Sequence, residues 1–139
     1  MKTVLIDVNV IVDILLNRKP HVEASAAVWA AVESHRADGL LAAHAITTIH
    51  YLIRKELGAV RAKRAVSAML RVFGIAAVDG NVIQDAVELS LTDFEDSVSA
   101  AAAQLARCDY IVTRDPRGFR GSPVPSVTPE AALPLLGAE

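Results

Sequence analysis

With 139 residues, 53% of them hydrophobic and 22% charged, the chain has the balance of one well-packed globular domain and not of a disordered or fibrous protein. Its formal net charge of −2 excludes a global basic field, so any nucleic acid must be drawn by a local basic patch. The single cysteine, Cys108, excludes an internal disulfide and a cysteine-rich zinc site, and its place before an apolar strand reads as a buried, inert thiol.

In chain order, Val4-Leu5-Ile6 predicts a short, fully apolar strand that ends at Asp7. This carboxylate comes too early for a signal sequence, and no later apolar run is long enough to cross a membrane, so a cytoplasmic protein is expected. Val10 to Leu16 reads as a short helix, fading at Asn17-Arg18-Lys19-Pro20. A second helix is expected from about His21 to Arg36, with Val22, Ala26, Trp29 and Val32 near helical spacing. Leu40 to Ala43 is a short strand, and Thr47 and Thr48 lead a helix that Gly58 stops. Ala59 to Phe73 predicts a further helix, and Ile75 to Val78 a strand ending at Asp79-Gly80. Helices over about Val82 to Leu91 and Phe94 to Arg107 precede the strand Tyr110 to Thr113. A last extended piece, Val124 to Val127, runs into Thr128-Pro129-Glu130, a cap followed by proline at the first helical position. No linker, repeat or low-complexity segment divides residues 1–139, which are read as a single domain.

Strands separated by helices imply an α/β fold with a mostly parallel central sheet flanked by helices. Ligands in such folds bind beyond the carboxyl ends of the strands, where Asp7, Asp79 and Asp115 are expected. Asp96 joins this set from the start of an alanine-rich helix, Asp93-Phe94-Glu95-Asp96. Acidic groups gathered from distant parts of a chain repel one another unless a cation holds them, so the cluster points to a metal site. Each motif also has a plain structural explanation. Asp7-Val8-Asn9 is a good capping pair, Asp93 and Asp96 have capping-box spacing, and Asp115-Pro116 is a common turn opener. Taken singly they are ordinary; three such motifs in one chain are not. Phosphotransfer receivers and haloacid-dehalogenase-type phosphatases also place an Asp after a buried strand, but both use a late lysine. Here the lysines are Lys2, Lys19, Lys55 and Lys63, and Asp7 has no Asp two residues on. No glycine-rich phosphate loop or nucleophile elbow is present either.

The ordered set resembles PIN-domain ribonucleases of the kind found in VapC-type toxins of type II toxin–antitoxin pairs. The similarity is carried by Leu5-Ile6-Asp7-Val8-Asn9-Val10 with Asp13, by Asp93-Phe94-Glu95-Asp96, by Tyr110-Ile111-Val112-Thr113-Arg114-Asp115 and by Val127-Thr128-Pro129-Glu130. It covers almost the whole chain and implies a three-layer PIN-like fold. Asp7, Asp96 and Asp115 match the family's catalytic, metal-binding aspartates, with Asp93 as a further candidate ligand. Asn9 and Thr113 match polar supports of the site. One departure stands out: the family usually carries a Glu where this chain has His50. Asp93, Glu95 and Asp13 are the candidates to supply the missing charge, while His50 is either a supporting site residue or a hydrogen-bonded packing residue.

The resemblance implies hydrolysis of RNA phosphodiester bonds with Mg²⁺ or Mn²⁺, cations that suit oxygen-rich sites. It also implies a cognate antitoxin partner and a homodimer. Arg114 and Arg117 are the phosphate-contacting candidates, with Arg120 beside them; a solvated loop explains them equally well. A second basic group, Arg54, Lys55, Arg61, Lys63, Arg64 and Arg71, reads mainly as a solvated helix face. The competing function is a catalytically weakened PIN-fold module that only holds RNA or a protein, favoured by the absent Glu and opposed by the three aspartates.

Overall fold

The computed structural model describes residues 1–137. Strand β1, Thr3–Ile6, lies at the centre of a five-stranded sheet. On one side it pairs with β2, Asp38–Ala42, which pairs in turn with β3, Gly74–Ala76. On the other it pairs with β4, Tyr110–Val112, and beyond that lies β5, Ser126–Val127. The order is β3-β2-β1-β4-β5 and every pairing is parallel. The expected parallel sheet is therefore parallel throughout its described strands.

Side-chain alternation along these strands builds one core on each face. Val4, Ile6, Leu41 and Val112 join one cluster, with Val28, Ile49, Ile53 and Met69 from the helices α2 (Val22–Glu33), α3 (Ala43–Leu57) and α4 (Ala59–Val72). The short helix α1, Val8–Leu15, adds Val10, Ile11 and Val12 to the same face. Leu5, Ala42 and Ile111 point the other way, against α5 (Gly80–Leu89) and the alanine-rich α6 (Phe94–Leu105). Ala100, Ala101, Ala102 and Ala103 are all buried there, and their small side chains let α6 lie close on the sheet. The result is the three-layer arrangement expected of the resemblance.

Helix starts account for the main differences from the expected boundaries. Asp7, Asp79, Asp93 and Thr128 each cap a helix through a side-chain oxygen, so α1, α5, α6 and α7 (Pro129–Ala132) begin at their polar residues. Helix α3 begins at Ala43, four residues before Thr47, with no side-chain cap. The chain passes directly from β2 into α3, which tertiary packing permits without a local start signal. Gly39 in β2 has no room for a side chain, since a Cβ would come within 2.7 Å of Val32 and 2.8 Å of Phe73. No helix among the described residues is long and apolar enough to cross a membrane.

Candidate active site

Both neighbours of β1 follow it in the chain, β2 on one side and β4 on the other, so the strand order runs outward from β1 in opposite directions. Such a reversal opens a crevice beyond the carboxyl ends of the two central strands. Asp7 leaves β1 at this point, and its N–H still donates to the Val112 carbonyl at 2.9 Å. The Asp7 carboxylate accepts from the Val8 N–H at 2.8 Å with one oxygen and from the Thr113 hydroxyl at 2.8 Å with the other. Thr113, 0% exposed, also accepts from the Asp115 N–H at 3.1 Å and from the Asn9 amide at 3.4 Å. Asn9 in turn accepts the Arg114 N–H at 3.1 Å. One buried hydroxyl thus ties Asp7, Asn9 and the Asp115 turn into a single hydrogen-bonded unit, which fixes their relative positions.

Helix α6 delivers the remaining acids. Asp93 is its cap and accepts the Asp96 N–H at 3.1 Å, so the plain capping explanation holds for this residue. Glu95 accepts from the Thr48 hydroxyl of α3 at 3.3 Å. Asp96 turns toward the crevice. Its Oδ2 would lie 3.0 Å from a Cβ on Gly118, and Asp115 Oδ2 3.5 Å from the same point. The turn Pro116–Phe119 therefore brings a side-chain-free residue between two carboxylates, leaving a cradle that any other residue would fill.

Crowding shows in the acidities. Burial raises the Asp7 pKa above its ordinary 3.8, opposed by the Thr113 and Val8 hydrogen bonds and assisted by the charges of Glu95 and Asp93. Asp96 is pushed up to about 7, first by burial and then by the charges of Asp7, Asp93, Glu95 and Asp115. Carboxylates that resist ionisation through burial, and further through one another's charge, are groups that a bound cation would return to the charged form. Among the described residues no three acidic, His or Cys side chains close into a finished cage. An open carboxylate wall beside a cradle suits a hard cation that takes carboxylate oxygens and keeps several waters. The oxygen-only donors at the crevice are of the kind a hard divalent cation takes.

Several expected residues have other attachments. Asp13 is fully buried in α1, and its carboxylate accepts from Arg114 at 2.7 and 3.4 Å, with Arg18 at 3.9 Å. That pairing takes Asp13 out of contention as a replacement charge in the crevice and commits much of the Arg114 guanidinium. Arg117 and Arg120 remain exposed in the loop after β4. His50 is half-buried on α3. It follows Thr48 by two residues, about 200° around the helix, so it leaves by a different face from the one that meets α6. His44 is the histidine that reaches α6: its Nε2 lies 3.2 Å from the Glu95 carbonyl oxygen and 3.4 Å from the Ser99 hydroxyl. Neither His44 nor Gly118 is singled out by the sequence motifs, although the i, i+4 spacing of His44 and Thr48 marks one shared face.

A profile of the family described as PIN domain matches residues 3–117, most of the chain. The chain belongs to the PIN-domain family. Solved structures agree in fold. VapC20 of Mycobacterium tuberculosis, a toxin that cleaves the sarcin-ricin loop, superposes with a TM-score of 0.70 at 14% identity, covering 84% of this chain and 93% of that one. A toxin–antitoxin complex from Klebsiella pneumoniae gives 0.67 at 23% identity over 91% and 97%. VapBC from Salmonella typhimurium, bound to DNA, gives 0.71 at 16% over 93% and 99%. No curated protein matches the sequence closely enough to add a nearer relative. The matched range includes Asp7, Asp96 and Asp115.

Proposed function

We propose that this PIN-domain protein is an Mg²⁺- or Mn²⁺-dependent endoribonuclease, the toxin of a toxin–antitoxin pair, with residues 1–139 acting as a single cytoplasmic domain. The observation that carries the reading is the cradle at Gly118, bordered by Asp96 and Asp115 and backed by Asp7. The fold-level likeness to toxins of known antitoxin complexes supports the biological role.

Asp7, Asp96 and Asp115 would hold the ion, with Asp93 next to them and partly engaged by its cap. When bound, such an ion supplies Lewis acidity, lowering the pKa of water and offsetting charge on the scissile phosphate. The chain's own residues do the rest. Thr113 donates to Asp7 and so keeps that carboxylate turned to the crevice, while Asn9 holds the Arg114 backbone and with it the Asp115 turn. His44 and Thr48 brace the first turn of α6, which keeps Asp96 in register. Arg117, exposed beside Asp115, is the cation best able to meet an RNA phosphate.

A homodimer and an antitoxin peptide are part of the same reading. Of the aromatic anchors, Trp29 and Phe73 pack on each other in a T-shaped contact at 4.9 Å, whereas Tyr51 stays 62% exposed and available to a partner. Light scattering at high micromolar concentration should give twice the chain mass; a monomer would remove the dimer. The second reading, a binding module without catalysis, is favoured by His50 at the position where PIN nucleases usually carry Glu. A cleavage assay on structured RNA separates the two. We expect Mg²⁺- or Mn²⁺-dependent cleavage, lost in Asp7→Asn and in Asp96→Asn with the fold retained by circular dichroism. RNA binding without cleavage by the unmutated chain would instead select the binding module.

A further inference from the structure

We propose that a pocket lined in part by Arg114, the residue before Asp115, takes a phosphate of the bound RNA strand, a subsite that rests on the nuclease reading. The pocket holds about 280 Å³ between the start of α2, the β5–α7 junction and the loop after β4. Its lining includes His21, Ser25, Arg114, Thr128 and Glu130. That volume lies just under the range of small-molecule pockets, enough for a phosphate with its sugar but not for a whole nucleotide chain.

Two features point to an anionic ligand. Ser25 is 1% exposed, and its hydroxyl has no hydrogen-bond partner, an arrangement that native proteins rarely leave unexplained. Arg114 is held by Asp13 through two of its five N–H groups, so its guanidinium is fixed in place with donors still unspent. Thr128 accepts the Ala131 N–H at 3.2 Å, which leaves its own proton free to donate. The pocket is thus lined by the Arg114 guanidinium and by two hydroxyls able to donate, with one carboxylate, the exposed Glu130. This single acid weakens capture of a free anion, so the subsite works within a strand that other contacts already hold. Its location follows from the chain: Arg114 sits between Thr113, which orients Asp7, and Asp115, which borders the cradle.

The test is fluorescence anisotropy of a labelled oligoribonucleotide titrated with the full chain in EDTA, so that no cleavage occurs, with inorganic phosphate as competitor. Asp13→Asn combined with Arg114→Met removes the guanidinium without stranding a buried carboxylate. It should weaken RNA binding about tenfold and lower the slope of log affinity against log salt by about one. Glu130→Gln, at an exposed site that folding does not need, should tighten binding at least threefold. Glu33→Gln, at the other end of α2, makes the same change in net charge and should leave affinity unchanged. Equal responses to Glu130→Gln and Glu33→Gln would overturn the subsite, even if the double variant failed to fold. Phosphate should displace RNA from the unmutated chain more readily than from the double variant; equal displacement would also overturn it. The nuclease reading is judged separately by cleavage with Mg²⁺, so an active enzyme indifferent to Glu130→Gln keeps its activity assignment and loses this pocket.

Discussion

Asp96 shows how a single residue can be tuned against the stability of its own fold. Its pKa near 7 in the folded chain exceeds the ordinary 3.8, so the folded form holds the proton more tightly than the unfolded form. This linkage contributes stability that is fully present below about pH 3.8 and lost as the pH rises through about 7. The metal-free protein should therefore melt lower at about pH 8 than at about pH 5, and Asp96→Asn should shrink that difference while raising the melting temperature at pH 8. Thermal melts in EDTA read both effects; a variant with the unmutated pH dependence would mean that Asp96 is not the strained carboxylate. Gly118 is the complementary case, where the lack of a side chain is the feature used. A Cβ there meets Asp96 Oδ2 at 3.0 Å, so Gly118→Ala must displace a carboxylate by a few tenths of an ångström. Small misplacements of reacting groups are costly, and we expect cleavage to fall about tenfold to a hundredfold with the melting temperature nearly unchanged. Unaltered turnover would show that the cradle is not where the reaction occurs.

At the level of elements, the Asp13–Arg114 pair joins α1 to the loop after β4 across 101 residues of sequence. Its two halves are not equivalent. Arg114 is 37% exposed and can regain water if Asp13 is changed, whereas Asp13 is fully enclosed and cannot. Arg114→Met should thus cost about 3 kcal/mol and Asp13→Asn closer to 1 kcal/mol, an asymmetry that chemical denaturation can measure. Equal costs would mean that Arg18, 3.9 Å away, carries the pairing instead. This contact illustrates what the sequence could not convey. Val4-Leu5-Ile6 and Tyr110-Ile111-Val112 announced buried parallel strands because their apolar runs are short and end in polar residues. The placement of Asp7, Asp96 and Asp115 at element boundaries was legible for the same reason, since local pattern defines those boundaries. Helix α3 was placed too late because Ala43 to Ile46 carry no start signal, and only the packing against α1 and α4 makes them helical. The partners of Asp13, His44 and Gly118 are tertiary facts, set by how the helices dock and not by spacing along the chain.

For the whole molecule, folding gathers the acids into one place, and on the proposed reading a cation offsets their repulsion. Parallel strands feed Asp7 and Asp115 into one crevice because β4 lies beside β1, and α6 packs beneath with its acidic start facing the same opening. Binding a divalent ion there must release the proton that Asp96 holds near neutrality, so ion affinity and pH are coupled. At a free ion concentration of about 100 times Kd, binding to the folded state alone adds about 2.7 kcal/mol, or roughly 10 °C in melting temperature for a chain of this length. We expect Mg²⁺ or Mn²⁺ to give a rise of that order at about pH 8 and a much smaller one at about pH 5.5, where the proton competes. Replacing Asp7 and Asp96 together by Asn should abolish the rise at both pH values. If the double variant is stabilised as much as the unmutated chain, the cation binds elsewhere, and the crevice between β1 and β4 is not the metal site.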